Sequence, residues 1–499
     1  MHLDMSEFWS WLPIAGELHV ACALLVCFHC LRYRREANSA LLWIFAAWSF
    51  PFVGALFYLS FGVDRVTLKA GRRSRVHEAF LTARRERETE SLPMAYWHAV
   101  HEAVAAEPAS PFAADLNRSM ETILPDFPLL SGNRVELLVA GDEAYPAMLE
   151  AIRSARHHIH VQTFIVSRDA TGREFLDALR AKADEGVNVR FLFDRFGSTA
   201  AFLSGMLRRY DGVSPRLQVA GWTQANPLKR QFQINLRNHR KALIVDGRVA
   251  FTGGLNFSDI NRAAPGRPAD RDYHFRIRGP IVQELQFSFL SDWHFMTAED
   301  TEHLLLAEHF PHLASEGEAL VRLVNSGPTA ELETLVDVFF NCLVAARRQI
   351  LAVTPYFVPT PDILRAFRSA ALRGVEVKLV LPEKNNHFYA GLAGCAFYGD
   401  LLDAGVRIFE RRPPFMHAKA LIVDDAVALI CTANLDARSL RLNYENDLVV
   451  YDPEFINQLK RAVLDDLAAS REIEPGRWHA RPVYRRLAEN FCALLSPVL

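Results

Sequence analysis

Two short runs in the chain carry the same residue types at the same spacing. His239-Arg-Lys241-Ala-Leu-Ile-Val-Asp246 is followed by Gly253-Gly254-Leu-Asn256. His417-Ala-Lys419-Ala-Leu-Ile-Val-Asp424 is followed by Thr432-Ala-Asn434. One chance His-x-Lys-x4-Asp has an expectation of about 0.02 at this composition, so two are not an accident. Only eight residues are Lys, and two of them hold the matching motif positions. Two His, two Lys and two Asn brought together suit a phosphodiester. The Lys and Asn donors neutralise the phosphate and the charge of a trigonal-bipyramidal transition state. One His can attack phosphorus while the other protonates the leaving oxygen. Each His needs an orienting carboxylate, and Asp272 and Glu445 are the candidates. They lie 33 and 28 residues after His239 and His417, which pairs each acid with the His of its own repeat. Asp246 and Asp424 close the motif and are counted with the catalytic set, their expected task being to pin the strand-turn backbone. Lys is cationic and no His/Cys/Asp cluster has ligand spacing, so a metal is not expected.

The elements that must carry these motifs also repeat. Residues 155–194 and 346–383 each read as helix, strand, helix, strand around the runs ARHHIHVQTFIV…GVNVRFLFD and ARRQILAVTPYFV…GVEVKLVLPE. Gly186 and Gly374 fall at helix C-terminal turns, where a left-handed conformation is favoured. The strands are rich in Val, Ile, Leu and Phe, as in sheets covered on both faces. Positions i and i+2 of a strand share a face, so each His projects beside its Lys. The fold class is α/β: two tandem α/β/α repeats form one bilobal catalytic body. The repeats are placed at 126–315 and 316–499, after a basic connector at 65–125. Cys431 stands where the first motif has a glycine, and a β conformation is expected to accommodate it. His157, His158 and His160 read as a cation-rich strand entry rather than ligands.

With 499 residues, half of them hydrophobic, the chain is neither disordered nor low in complexity. A net charge of −2 gives no global basic field, which disfavours nucleic acid as a partner. Seven Cys do not make a disulfide framework, and the Cys27-x-x-Cys30 pair reads as small apolar residues. Residues 40–63 carry no charge over 24 positions, roughly 36 Å as helix and enough to span a bilayer. Residues 8–31 form a second candidate, interrupted by Glu17 and His19, with Glu17 expected to face the partner helix or the interface. The working expectation is a two-helix transmembrane hairpin over 1–64. Arg32, Arg34 and Arg35 mark its turn, and the larger cluster from Arg65 through Lys69, Arg72, Arg73 and Arg75 follows it. That cluster favours a cytoplasmic body and can meet anionic headgroups.

The paired motifs resemble those of the phospholipase D superfamily, and within it the bacterial cardiolipin synthases. RNHRKALIVDGRVAFTGGLNFSD, TANLDARSLRLNYEN, TPYFVP, the Pro51/Gly54/Tyr58/Phe61-Gly62 pattern and the terminal LLSPVL carry the likeness across essentially the whole chain. The resemblance implies transfer of a phosphatidyl group from one phosphatidylglycerol to another, releasing glycerol, through a phosphohistidine. It implies no metal and no nucleotide, anionic phospholipids and the bilayer as partners, and a multi-pass place in the bacterial inner membrane. By position, His239, Lys241, Asn256, His417, Lys419 and Asn434 match the family's site, and Asp272 and Glu445 match its acidic partners. His239 then acts as nucleophile and His417 as acid and base. Hydrolytic phospholipase D, a phosphatidylethanolamine-using synthase and a non-catalytic lipid-binding scaffold are the alternatives.

Overall fold

The computed structural model describes residues 5–33, 37–59, 76, 78–84, 86, 107–222, 225–226, 231–232, 237–327 and 333–494. The chain forms two compact units, Met1–Gly71 and Arg72–Leu499. Arg34, Arg35, the cluster from Arg65 to Arg75, Phe61-Gly62, most of the connector and the terminal LSPVL lie outside the described residues.

The larger unit is a mixed α/β body around one fifteen-stranded sheet. Seven strands come from the first repeat: β1 (Leu130–Val139), β2 (His158–Thr163), β3 (Asn188–Asp194), β4 (Leu217–Trp222), β5 (Ala242–Val245), β6 (Val249–Gly253) and β7 (Tyr273–Arg278). Seven matching strands follow: β8 (Ala319–Ser326), β9 (Gln349–Val353), β10 (Glu376–Pro382), β11 (Arg407–Arg411), β12 (Ala420–Val423), β13 (Val427–Ile430) and β14 (Glu445–Tyr451). A short β15 (Ser470–Glu472) covers the outer edge at β11. From β1 outward the first half runs β1-β7-β6-β5-β2-β3-β4. From β8 outward the second runs β8-β14-β13-β12-β9-β10-β11. The halves meet where β1 and β8 pair antiparallel. A chain that repeats one unit and joins the copies back to back in this way acquires an approximate two-fold axis through the central pair.

Local sequence explains the elements. Asp169 caps helix Ala170–Asp184 by accepting from Gly172 N at 2.9 Å. Gly186 and Gly374 take φ +101° and +86° just past their helices, and the next residues donate back across the turn, Val187 to Lys182 O at 3.0 Å and Val375 to Ala370 O at 3.1 Å. The motif strands β5 and β12 are buried at every position, each paired on both sides. His158 and His160 do not form a cationic entry. Their rings lie 4.8 Å apart and within about 5 Å of His309, and burial pushes both well below the ordinary imidazole range, so they are neutral core residues.

The smaller unit departs from the expected pair of spans. Met5–Arg32 is one continuous helix, and Ala15–Arg32 is the one stretch among the described residues long and apolar enough to cross a membrane. The apolar run 40–63 is not a single helix. Its helix Ala37–Ser49 ends before Pro51, which lacks an N–H and cannot follow a helical residue without a clash. Phe52 takes φ +58°, and Val53–Phe57 returns along the first two helices. Three contacts fix the reversal. His19 Nε2 meets Trp48 O at 3.2 Å, near the tip, while His29 Nδ1 meets Tyr58 OH at 2.6 Å, ten residues back toward the turn. A Cβ on Gly54 would fall 2.0 Å from Ala46 O, so only glycine permits the fold-back. Thirteen helical residues reach about 20 Å, short of the roughly 30 Å hydrocarbon core. Glu17 is exposed rather than packed on the second helix. Cys30 is buried and donates to Tyr58 OH at 3.4 Å.

Candidate active site

His239 and His417 sit just before β5 and β12, on the approach to strands that their own repeats bury. Each approach makes its backbone bridge to the opposite half. His239 N donates to Tyr444 O at 3.0 Å, and Tyr444 N to Arg237 O at 2.9 Å. His417 N donates to Arg271 O at 2.7 Å, and Arg271 N to Phe415 O at 2.8 Å. These two parallel bridges bind each His segment to the residues before β14 or β7 of the opposite half. The consequence corrects the expected pairing. His239 Nδ1 bonds Glu445 Oε2 at 2.9 Å, and His417 Nδ1 bonds Asp272 Oδ2 at 2.8 Å. Each acid orients the His of the other repeat, not of its own.

Both dyads open on one cavity of about 500 Å³ whose lining includes His239, His417, Asn256 and Asn434. A carboxylate at Nδ1 holds the proton on that nitrogen and leaves Nε2 to face the cavity. Asp272 and Glu445 are wholly buried, yet their cationic neighbours hold both carboxyls below the usual range against the desolvation cost. Burial pushes His239 down and His417 down to about 4, the neighbouring lysines adding to the shift. Both rings are therefore neutral near pH 7. Lys241 and Lys419 are also buried. Each ammonium donates to the carbonyl of its own motif His, at 2.7 and 2.5 Å. Desolvation brings Lys241 down to about 7 and lowers Lys419.

The acids are themselves held. Thr432 Oγ1 donates to Glu445 Oε2 at 2.7 Å and Asn443 Nδ2 to Oε1 at 3.2 Å. Gly254 occupies the place of Thr432 in the first motif and lies on Asp272, where a Cβ would come 2.0 Å from Oδ1. Cys431 stands in the place of Gly253, whose φ is +136°. Cys431 is absent from the positive-φ residues, so its backbone is ordinary; it is buried and its thiol is raised by desolvation. Asn256 Oδ1 accepts from Ile165 N at 3.0 Å, which turns its amide N–H groups elsewhere.

Asp246 and Asp424 make the strand-turn backbone contacts expected of them. They sit at the far ends of β5 and β12, outside the cavity lining. Asp246 accepts from the N–H of Arg156, His157 and His158 at 2.8–3.0 Å. Asp424 accepts from Arg347, Arg348 and Gln349 at 2.7–2.8 Å. Each carboxylate ties the motif's strand end to the backbone that enters β2 or β9.

Several residues at the site escaped the sequence reading. Arg237 and Arg438 line the cavity, and each is close enough for Arg438 to contribute, after burial, to bringing Arg237 down to about 10. Their positions, two before His239 and four after Asn434, were the available signal. Tyr356, His387 and Tyr389 complete one wall, Tyr356 OH donating to Asn386 Oδ1 at 2.7 Å. Arg240, inside the first motif, is buried and bonds Asp292 at 2.6 Å, Glu445 O at 3.2 Å and Ser326 O at 3.0 Å, fastening the first His strand to the second half.

The family model described as "Cardiolipin synthase, PLD-like domain" matches residues 148–293 and 339–466, one segment on each motif. The chain belongs to the phospholipase D-like cardiolipin synthase family. A second family model, "Phospholipase_D-nuclease N-terminal", matches residues 21–62 of this family member. "Cardiolipin synthase 2" of Bacillus anthracis is 36% identical over 471 residues, covering 93% of this chain and 88% of its own. "Cardiolipin synthase A" of Pseudomonas syringae pv. syringae is 35% identical, covering 94% and 95%. The crystal structure of a phosphatidylserine synthase from Haemophilus influenzae superposes with a TM-score of 0.60 at 16% identity, over 77% of this chain and 99% of that one. That likeness is one of fold.

Proposed function

We propose that the protein is a membrane-anchored cardiolipin synthase that moves a phosphatidyl group from one phosphatidylglycerol to the hydroxyl of a second, releasing glycerol. The observation that carries this reading is the pair of crossed His–carboxylate dyads on one cavity, each beside a buried Lys. Exchange between two alcohols needs the phosphatidyl group held while glycerol leaves and the next lipid arrives. A covalent phosphohistidine holds it. His239 Nε2 attacks phosphorus, forming the N–P bond as the P–O bond to glycerol breaks, and His417 gives its proton to the departing oxygen. In the second step His417 takes the proton from the incoming hydroxyl, whose oxygen displaces His239 from phosphorus. Lys241, Lys419, Asn256 and Asn434 are assigned to the phosphoryl oxygens, where preorganised donors meet the transition-state charge. His417 takes up a proton at Nε2 as the anionic diester enters and supplies the acid. Charge on the phosphate is met by lysines, so no step requires a metal.

The anchor is assigned one crossing, by the helix Met5–Arg32, with 37–59 as a re-entrant turn rather than a second span. Arg32 and the end of the return at Leu59 then share a face. In sequence both Arg clusters adjoin that face, which the positive-inside rule places in the cytoplasm with the catalytic body. The cavity takes glycerophosphate headgroups and leaves acyl chains in the bilayer.

The test is incubation of purified full-length protein with phosphatidylglycerol vesicles in EDTA, followed by assay of cardiolipin, glycerol and phosphatidic acid. Cardiolipin and glycerol in equal amounts are expected. Phosphatidic acid as the main product would make the enzyme a hydrolase. Cardiolipin formed only when phosphatidylethanolamine is added would change the donor.

A further inference from the structure

The last helix of the body, Val483–Ala493, is built inside out. Val483, Tyr484, Leu487 and Phe491 are 60–74% exposed, and Leu494, one residue past the helix, is 76% exposed. At 100° per residue these five fall within one arc of about 100°. The opposite side carries Glu489, 1% exposed and paired with Arg481 Nη2 at 2.7 Å. The helix therefore spends its polar side on the protein and turns its apolar stripe to the outside, the reverse of a helix that packs a core. Soluble surfaces rarely expose a stripe of large apolar side chains without a use for it.

Two further observations say what covers it. First, the helix packs against Phe388–Cys395, whose leading residues reach the active site. Phe388 is 73% exposed, and Tyr389 and Ala390 line the cavity. The exposed apolar surface thus extends toward the rim through which substrate enters. Second, the charge beside the stripe is of one sign. Arg486 is exposed on the flank of the stripe, while the helix's single acid, Glu489, is buried and paired with Arg481 and Arg485. A second copy of the chain docking here about a two-fold axis would set Arg486 against its own mate. An anionic headgroup layer would receive it.

We propose that Val483–Leu494 is an interfacial helix that lies in an anionic bilayer surface and holds the cavity rim against it. The stripe enters the acyl boundary, and Arg486 stays at the phosphates. This rests on the reading of the protein as an enzyme of lipid substrates, and it adds a second membrane contact, independent of the N-terminal anchor, that sets the approach of substrate.

The test uses full-length protein in vesicles containing phosphatidylglycerol. Leu487 replaced by benzoylphenylalanine is expected to form a photo-adduct with phospholipid. An adduct with a second copy of the chain, or no lipid adduct, overturns the proposal. In parallel, Leu487→Glu/Phe491→Glu is expected to lower turnover of vesicle phosphatidylglycerol at least tenfold. Turnover of a short-chain phosphatidylglycerol kept below its micelle concentration should stay within twofold of wild type. Equal loss on both substrates assigns the helix to folding and contradicts docking, and no loss on either contradicts it as well. Wild type inert toward short-chain substrate would instead overturn the catalytic reading, while the photo-adduct still reports on docking.

Discussion

At the residue scale the two dyads behave as units that cross the sequence. The contacts His239–Glu445 and His417–Asp272 span 206 and 145 residues. Within a dyad, losses from removing both members should not add. Asp272→Asn in a His417→Ala background is expected to cost little further turnover, whereas Glu445→Gln in that background should cost roughly another two powers of ten. The reverse pattern in steady-state rates would restore pairing within repeats. Lys241 sets a pH limit. Its pKa of about 7 means that it loses its proton, and its pull on a phosphodiester, as pH rises through that value. A profile of kcat/KM should fall above about pH 7, and a flat profile to pH 9 would contradict the role of Lys241. Asp246→Ala removes the acceptor of three backbone N–H groups, two of them exposed to water, at a cost of about 1 kcal/mol in stability. A lowered thermal midpoint with near-normal kcat in the folded fraction is expected, since Asp246 lies outside the cavity. The motif residues were legible because their types and spacing recur. The crossing was not, since it depends on which half each His approach pairs with, and local spacing holds no record of that.

At the element scale the repeat was readable from two strand-helix-strand passages with matched glycines, and those glycines do take positive φ. The single sheet was not, because the pairing of β1 with β8 joins strands nearly two hundred residues apart. The N-terminal run reads as two spans for a definite reason. An uncharged stretch of 24 residues satisfies a span by composition, and hydropathy does not register that Pro51 and Gly54 together allow the chain to double back. The two arrangements differ in a countable way. With one crossing and a re-entrant turn, a reporter at residue 2 lies across the membrane from reporters at residues 35 and 66. With two spans, residues 2 and 66 share a face and residue 35 is opposite. Reporter activity or impermeant-reagent labelling at the three positions is expected to give the first pattern.

At the scale of the whole molecule, the two-fold arrangement explains why the site needs both repeats. Each half supplies one His with its Lys, and each supplies the carboxylate that bonds the other half's His. Arg240 fastens the halves beside the site by reaching Glu445 O and Ser326 O. Near-symmetry also leaves the two His geometrically similar, so the division of labour has to be read from chemistry. The central claim is that a phosphatidyl group rests on His239 while His417 manages protons. The most direct measurement is rapid acid-free quenching of enzyme with labelled phosphatidylglycerol, followed by mapping of the labelled peptide in wild type and in each His→Ala variant. The label is expected on His239 in wild type and, accumulating slowly, in His417→Ala, with none in His239→Ala. Label on His417 in the His239→Ala variant, or full turnover in either variant, would contradict it.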